Sequence, residues 1–170
     1  GYSLTAGQLV GDETPDLLVG APRGRNASNV RTGMIQVIDG EWVAALPTQA
    51  PDAEALEIHL ADDAPGLMTI FGETNEERFG DAVGIYENTV IVGYTARRYT
   101  RELIAGGAAF LALDGGGLPV GQLIGETFRP GGRLGASITI SSQRGLMAVG
   151  APAGSGIQSN SGSAYMLRLD

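Results

Sequence analysis

Residues 134–152, LGASITISSQRGLMAVGAP, contain two short apolar stretches on either side of a polar turn. The first stretch begins with Leu134-Gly135, and the second ends with Gly150-Ala151-Pro152. Both are rich in Ile, Leu, Val and Ala and are bounded by turn residues, which is typical of short β-strands. A further apolar stretch, residues 161–167, follows after a loop. This order of segments predicts one small antiparallel sheet.

The same order of segments occurs twice more along the chain. The segments are residues 79–85, 89–94 and 106–115 in the middle copy, and residues 1–4, 16–22 and 32–40 in the N-terminal copy. The joins between copies also match, because Phe71-Gly72-Glu73-Thr74 precedes the middle copy and residues 123–127, LIGET, precede the last one. Internal repeats of this kind predict a chain built by repeating one supersecondary unit.

Glycine is the most unusual feature of the composition, with 27 glycines in 170 residues. Short strands joined by many tight turns need that many glycines, whereas helical bundles do not. The lack of a Gly-x-y period excludes collagen. The continuous apolar run at residues 89–92 is typical of a strand buried on both faces. We therefore predict an all-β fold, in which each copy has the size of one four-stranded propeller blade.

The charge balance and the missing residue types exclude several kinds of partner. Acidic residues outnumber basic ones by 19 to 11, for a formal net charge of -8. Non-specific nucleic-acid binding depends on clustered Lys and Arg, and the basic residues here are scattered. There is no cysteine for a disulfide framework or a thiolate metal site. No apolar stretch has the length of a membrane span, so we expect neither nucleic acid nor membrane insertion.

The motifs of these copies resemble the FG-GAP repeat of integrin α-subunit β-propellers. Phe79-Gly80 supplies the first motif, and residues 20–22 and 150–152 supply Gly-Ala-Pro. The last copy has Leu134 in place of Phe, and the middle copy has Gly93-Tyr94-Thr95 in place of Gly-Ala-Pro. The resemblance implies about three blades: repeat 1 at residues 1–71, with an acidic, proline-containing insertion at about 44–66, repeat 2 at residues 72–124, and an incomplete repeat 3 at residues 125–170.

Three blades do not close a propeller, since rings typically contain about four to eight, and unclosed blades leave an exposed sheet edge. We therefore expect the chain to belong to a larger propeller, to self-associate, or to dock on another protein. The resemblance implies a non-enzymatic segment for protein–protein interaction, adhesion or assembly. It also implies a location outside the cell, at the cell surface, or in a secretory or periplasmic lumen.

In the same family, the link between the first two strands of some blades is a Ca²⁺ loop of the form Asp-x-Asp/Asn-x-Asp-Gly-x-x-Asp. The aligned stretch here is residues 8–16, QLVGDETPD. Ca²⁺ takes six or more oxygen ligands; Gln8, Asp12 and Asp16 can offer oxygens, whereas the Val10 side chain cannot. The resemblance implies a degenerate Ca²⁺ site at those three residues. The alternative is that the two aspartates cap their own turn.

The long loops of the copies are the expected binding surface, because loops on a rigid scaffold commonly carry binding residues. These loops are residues 23–31, 47–66, 96–102 and 153–161. The cluster most typical of an interface comprises Arg97, Arg98, Tyr99 and Arg101, since Arg and Tyr are enriched at protein interfaces. Asn26-Ala27-Ser28 is an N-glycosylation sequon, which matters in a eukaryotic secretory context.

The remaining candidates favour structural roles. His59, the single histidine, lies in the acidic insertion, where we expect a solvated side chain. Trp42, the single tryptophan, is expected to pack between blades rather than to anchor a partner. Four glutamates of the joins are expected to be solvated, namely Glu73, Glu76, Glu77 and Glu126. Two other functions stay open: a propeller domain of a secreted hydrolase acting on glycans or phospholipids, and a purely structural subunit of a large complex.

Overall fold

The computed structural model describes residues 1–9, 14–46, 67–98, 104–113, 118–124, 132–153 and 161–169. Residues 47–66, which form most of the predicted insertion, lie outside these ranges. His59 and Glu126 lie outside them as well.

Three antiparallel sheets account for the described strands, and in each sheet the strands are neighbours in chain order. Sheet 1 comprises β1 (Ser3–Gly7), β2 (Asp16–Ala21), β3 (Met34–Ile38) and β4 (Leu67–Phe71). Sheet 2 comprises β5 (Ala82–Tyr86), β6 (Thr89–Arg98), β7 (Ile104–Ala112) and β8 (Leu118–Ile124). Sheet 3 comprises β9 (Ser137–Ser141), β10 (Leu146–Ala151) and β11 (Ser163–Arg168). The predicted all-β class is confirmed.

The three sheets share one strand register. In each sheet, a glycine of the second strand pairs with one residue of the first strand and one of the third. These trios are Ser3, Gly20 and Ile35 in sheet 1, Ala82, Gly93 and Ala108 in sheet 2, and Ser137, Gly150 and Ala164 in sheet 3. Equivalent positions can therefore be compared directly between sheets.

Short turns join the first two strands of sheets 2 and 3. Glu87 and Asn88 link β5 to β6 in a two-residue turn, with Glu87 at φ 50°. A 3₁₀ turn at Ser142–Arg144 links β9 to β10 and ends at Gly145, which has φ 56°. The tight connections fix each pair of strands as a hairpin.

One short helix, α1 (Gly40–Ala44), follows β3 and was not predicted. Asp39 caps its N-terminus, because the Asp39 Oδ1 atom accepts hydrogen bonds from the backbone N–H groups of Glu41 and Trp42, at 2.8 and 3.2 Å. A capping aspartate supplies the acceptor that the first helical turn lacks. Trp42 lies half-buried on this helix.

Sheet 2 lies between two hydrophobic cores. The core shared with sheet 1 includes Leu18, Ile35 and Phe79, and the core shared with sheet 3 includes Leu134 and Met147. Alternate side chains of β6 enter opposite cores, since successive residues of a strand point to opposite faces. Val90 and Val92 pack in the first core, whereas Ile91 packs in the second. The prediction that this apolar run is buried on both faces is confirmed.

The first strands of the three sheets are neighbours in space. β5 contacts both β1 and β9, and it also contacts β2. The first strand of each sheet therefore lies close to the first strand of the next sheet, and the later strands lie farther from this contact.

Candidate interaction surface

Sheets 1 and 2 pack through backbone contacts at two glycines of sheet 1, Gly20 and Gly33. A Cβ atom on Gly20 would lie 2.3 Å from the carbonyl oxygen of Gly80, and one on Gly33 would lie 2.3 Å from that of Phe79. No side chain fits at such distances. We call Gly20 and Gly33 the glycine pair of sheet 1, and we call Phe79-Gly80 the lead-in pair of sheet 2.

Sheets 2 and 3 repeat this arrangement. The glycine pair of sheet 2 is Gly93 and Gly106, and the lead-in pair of sheet 3 is Leu134-Gly135. A Cβ atom would lie 2.1 Å from the Gly135 carbonyl oxygen at Gly93, and 2.2 Å from the Leu134 carbonyl oxygen at Gly106. The glycines of the sequence motifs are thus the points where one sheet meets the next, as expected where two backbones approach closely.

Hydrogen bonds add to the contact between sheets 1 and 2. The Ser3 hydroxyl donates to the Gly80 carbonyl oxygen at 2.9 Å, and the Phe79 backbone N–H donates to the Thr32 carbonyl oxygen at 3.2 Å. Gly33 and Phe79 form an isolated parallel β-bridge. Ala82 occupies the position of Ser3 in sheet 2, so the hydroxyl contact has no equivalent between sheets 2 and 3.

Sheet 3 carries the same glycine pair, Gly150 and Gly162, but no described residue packs on it as a lead-in pair packs on sheets 1 and 2. The nearest atom to a Cβ on Gly162 would be the Pro152 carbonyl oxygen, at 3.5 Å. Both glycines are half-buried, whereas the glycines of the first two pairs are buried. A cavity of about 570 Å³ lies over them and is also lined by Ser137 and Ser163.

Two apolar side chains mark the outer faces of the three-sheet assembly. Met166 on sheet 3 is 74% exposed, whereas Val37, at the equivalent position of sheet 1, is only 4% exposed. Leu4 on sheet 1 is 68% exposed, whereas Val83, at the equivalent position of sheet 2, is only 7% exposed. In sheets 1 and 2, one face packs against the following sheet, and sheet 3 exposes this face. In sheets 2 and 3, the opposite face packs against the preceding sheet, and sheet 1 exposes that one.

The loop at residues 23–31 is held in shape by its own hydrogen bonds. The Asn26 Oδ1 atom accepts from the backbone N–H groups of Ser28 and Val30, at 3.1 and 3.0 Å. Arg25 donates from its guanidinium to the Asn29 carbonyl oxygen at 2.7 Å. The sequon residue Asn26 is half-buried in a mostly exposed loop that is fixed by internal hydrogen bonds. Its glycosylation stays a prediction.

The predicted basic cluster is only partly described. Arg97 and Arg98 lie at the end of β6, after an irregularity in pairing between Tyr94 and Arg97, and their backbones pair with Ala105 and Ile104. Tyr99 and Arg101 lie outside the described residues. The predicted loop at residues 96–102 therefore begins later than expected, because residues 96–98 belong to β6, and the basic cluster stays a prediction.

The Asp16 carboxylate, one of the three predicted Ca²⁺ ligands, is buried and bonded to the backbone. Its Oδ2 atom accepts from the Leu9 N–H at 2.9 Å, and its Oδ1 atom accepts from the Gly40 N–H at 3.0 Å. Asp16 therefore ties the β1–β2 connection to the start of α1. Gln8 is exposed, and Asp12 lies outside the described residues. Within the described ranges no three His, Cys, Asp or Glu residues are grouped to hold a metal ion, and the Ca²⁺ site stays a prediction.

The expectation that Glu77 is solvated is wrong, because its side chain is fully buried. Its Oε2 atom accepts from the backbone N–H groups of Glu73 and Thr74, both at 2.7 Å. This contact closes the connection between sheets 1 and 2 just before the lead-in pair. The spacing Thr74-x-x-Glu77 is that of a capping box, in which a glutamate reaches back to a backbone N–H group. That spacing was the available sequence signal.

A second buried carboxylate, Asp81, was not predicted as a structural residue. It accepts two hydrogen bonds from the Arg78 guanidinium, at 2.9 and 2.7 Å, and one from the Thr95 hydroxyl. The hydrogen bonds between Arg78 and Asp81 raise the pKa of Arg78 above its ordinary value. The stabilisation from Arg78 is therefore fully present below the ordinary arginine pKa, and it is lost only as the pH rises through the higher pKa of the folded state.

Comparison of the sequence with known proteins does not identify a family. The sequence matches no protein-family model and no curated protein. In the part of the chain that the structure describes, no helix has the length and apolar character to cross a membrane.

Proposed function

We propose that the chain is a non-enzymatic segment of an FG-GAP-type β-propeller that mediates protein–protein interaction, adhesion or assembly at a surface outside the cytoplasm. The observation that carries this proposal is the contact between neighbouring sheets. Equivalent glycine pairs form this contact between sheets 1 and 2 and between sheets 2 and 3. Sheet 3 carries a third glycine pair, on which no described residue packs in this way. A chain with an open half of a repeated interface is suited to assembly.

The order of the sheets supports a blade-like arrangement. Each sheet is a meander that begins beside the first strand of the preceding sheet, and the second strand of each sheet carries the glycine of the Gly-Ala-Pro position. Propeller blades are four-stranded sheets repeated around a central channel. Contact through the first strands is the arrangement expected when sheets radiate from one axis.

The buried carboxylates support a non-enzymatic role. Asp16, Glu77 and Asp81 are the buried acidic residues of the described ranges. Asp16 and Glu77 accept backbone hydrogen bonds, and Asp81 pairs with Arg78 and Thr95. These carboxylates are used to fix connections between strands and sheets. A hydrolase would need two carboxylates facing a shared substrate cleft.

The loop at residues 23–31 is the best-described candidate for contact with a protein partner. It lies at the end of the sheets opposite the β5–β6 turn, it is fixed by the Asn26 side chain, and it exposes Val30. A cavity of about 390 Å³ beside it is lined by Tyr2, Arg23 and Arg78. Tyr and Arg are frequent anchors at protein interfaces, so this end of the sheets suits a polar protein surface.

Photo-crosslinking from defined positions tests the binding role. A photoreactive amino acid is placed at Ser28, in the loop, and in a separate variant at Asn88, in the exposed β5–β6 turn at the other end of the sheets. Each purified variant is irradiated with surface proteins of the source cells. We expect a protein adduct from Ser28 and not from Asn88. Equal labelling from both positions, or no adduct from Ser28, would contradict the proposed role of the loop.

A further inference from the structure

We propose that the open face of sheet 3 binds sheet 1 of a second copy of this chain, head to tail, so that two copies form one closed assembly. The inference rests on the blade-like packing in the proposed function and names its partner. It is carried by the two complete sheet interfaces, which define what a third contact requires.

The open face of sheet 3 has the backbone features of the two occupied faces. Gly150 and Gly162 stand at the positions of Gly20 and Gly33. In the first interface, the lead-in glycine Gly80 packs over the backbone of Ala21 and Met34. The equivalent residues in sheet 3 are Ala151 and Ser163, and both line the 570 Å³ cavity. The cavity is therefore at the place where a lead-in pair packs in the other sheets.

A hydroxyl group is already directed toward this position. The Ser3 Oγ atom lies 2.2 Å from the point that a Cβ atom on Gly20 would occupy, and it donates to the Gly80 carbonyl oxygen at 2.9 Å. The Ser137 Oγ atom lies at the same 2.2 Å from the corresponding point on Gly150. No described residue accepts a hydrogen bond from Ser137. An incoming glycine carbonyl would complete the contact that Ser3 makes.

Sheet 1 offers the complementary half. Gly1 is at the position equivalent to Gly80 and Gly135, because it lies two residues before Ser3, which pairs with Gly20. Leu4 stands at the position of Val83, which packs in the core between sheets 1 and 2. Leu4 is an exposed apolar side chain of this half and supplies its apolar contact. Its target on sheet 3 is the apolar surface around Ala148, Ala164 and Met166.

A second copy is favoured because one chain carries both halves of the same interface. In a head-to-tail pair, sheet 3 of each copy binds sheet 1 of the other copy. All four exposed faces are then covered. Two copies of the three described sheets give six, which lies within the range of about four to eight blades in closed propellers. A heterologous contact that closes in this way forms a ring rather than a filament.

The mass of the purified chain in solution tests the proposal, measured by light scattering and sedimentation over a range of concentrations. We expect a species of twice 17.5 kDa. Met166→Glu and Leu4→Glu each place a charge on one half of the interface, and each should convert the pair to single chains. Val30→Glu, in the exposed loop, is the matched control and should leave the pair intact. Both test residues are exposed, so circular dichroism should stay unchanged.

Mixing the two variants distinguishes a head-to-tail contact from a symmetric one. The Leu4→Glu chain keeps an intact sheet 3, and the Met166→Glu chain keeps an intact sheet 1. An equimolar mixture should therefore regain a pair through one intact interface, with weaker association than the unmodified chain. A symmetric contact between two like faces would resist one of the two variants and would overturn the proposal.

Three further outcomes would also overturn it: a single-chain mass at every concentration, an open-ended series of masses, or a photoreactive residue at position 166 that captures a different protein instead of a second copy. These outcomes leave the loop experiment unaffected. An adduct from Ser28 with a single-chain mass would retain the proposed binding role and reject the pair. A pair that responds to both variants, with no loop adduct, would retain the pair and reject that role.

Discussion

At the scale of single residues, the glycines of the repeats are needed for two separate reasons. Gly33 and Gly162 occupy equivalent positions, with φ angles of 80° and 76°. This left-handed conformation costs a residue with a side chain about 1–2 kcal/mol. Only Gly33 also lies against another sheet, because a Cβ atom there would be 2.3 Å from the Phe79 carbonyl oxygen. The two positions therefore separate the cost of backbone conformation from that of close contact.

We expect Gly33→Ala to lower the free energy of unfolding more than Gly162→Ala. Both variants carry the conformational cost, and Gly33→Ala adds an overpacking cost of about 1–3 kcal/mol. Urea denaturation measures both, in a Met166→Glu background so that association between chains does not contribute. Equal losses would show that the sheets can separate at Gly33 without consequence, which contradicts a close backbone contact between sheets 1 and 2 at this glycine.

At the scale of elements, the connection between sheets 1 and 2 is fixed by one side chain. Glu77 is buried and holds the N–H groups of Glu73 and Thr74, whereas its neighbour Glu76 is exposed and lies 3.6 Å from Arg31. The two glutamates are adjacent and carry the same charge. They therefore provide a matched comparison between a buried acceptor and an exposed ion pair.

Glu77→Ala should lower the free energy of unfolding by about 1–3 kcal/mol, because it leaves two partly buried N–H groups without their acceptor. Glu76→Ala should change it by less than about 1 kcal/mol, as is usual for an exposed ion pair. Thermal and urea unfolding followed by circular dichroism would measure both. A larger effect at Glu76 than at Glu77 would show that the connection is not fixed as the structure indicates.

The strands could be predicted from sequence, but several of their connections could not. The apolar runs at residues 89–92 and 146–149 are typical of strands, and the structure confirms them. Glu77 is expected in solvent because charged residues are usually exposed, although its capping-box spacing indicates otherwise. The helix α1 is only five residues long, which is too short for a helical period to be visible, and Asp39 is its only clear signal.

At the scale of the whole molecule, sheet 2 couples the other two sheets, because it contributes to both cores. Ile35 lies in the core with sheet 1, and Met147 lies in the core with sheet 3; both are almost fully buried. The single tryptophan, Trp42, follows β3 of sheet 1 and reports on that side of the molecule. Substitutions can therefore perturb one core at a time, and Trp42 fluorescence reports the effect at the sheet 1 side of the molecule.

We expect Met147→Ala and Ile35→Ala each to reduce stability by about 2–5 kcal/mol, as is usual for truncation of a large buried side chain. Because sheet 2 is common to both cores, Met147→Ala should shift the Trp42 fluorescence transition together with the circular dichroism transition. Coincident transitions are the mark of cooperative unfolding. If Met147→Ala moved only the dichroism signal, sheet 3 would unfold on its own.

The sequence does not predict which sheet faces are exposed. Gly20, Gly93 and Gly150 stand at one position of the repeat, yet the first two are buried and the third is half-buried. Likewise, Val37 and Met166 are both apolar residues at equivalent strand positions, and only Val37 is covered. The repeat pattern predicts that a face can be covered, but coverage depends on which sheet lies beside it.

The backbone contact between successive sheets also bears on how such a chain can change over evolutionary time. Each sheet is a local meander and meets its neighbour through two glycines on one side and a lead-in pair on the other. A duplicated or deleted gene segment that spans one whole repeat would restore the same contact at the new junction. The number of repeats can therefore vary by unequal recombination while the fold of every remaining sheet is preserved.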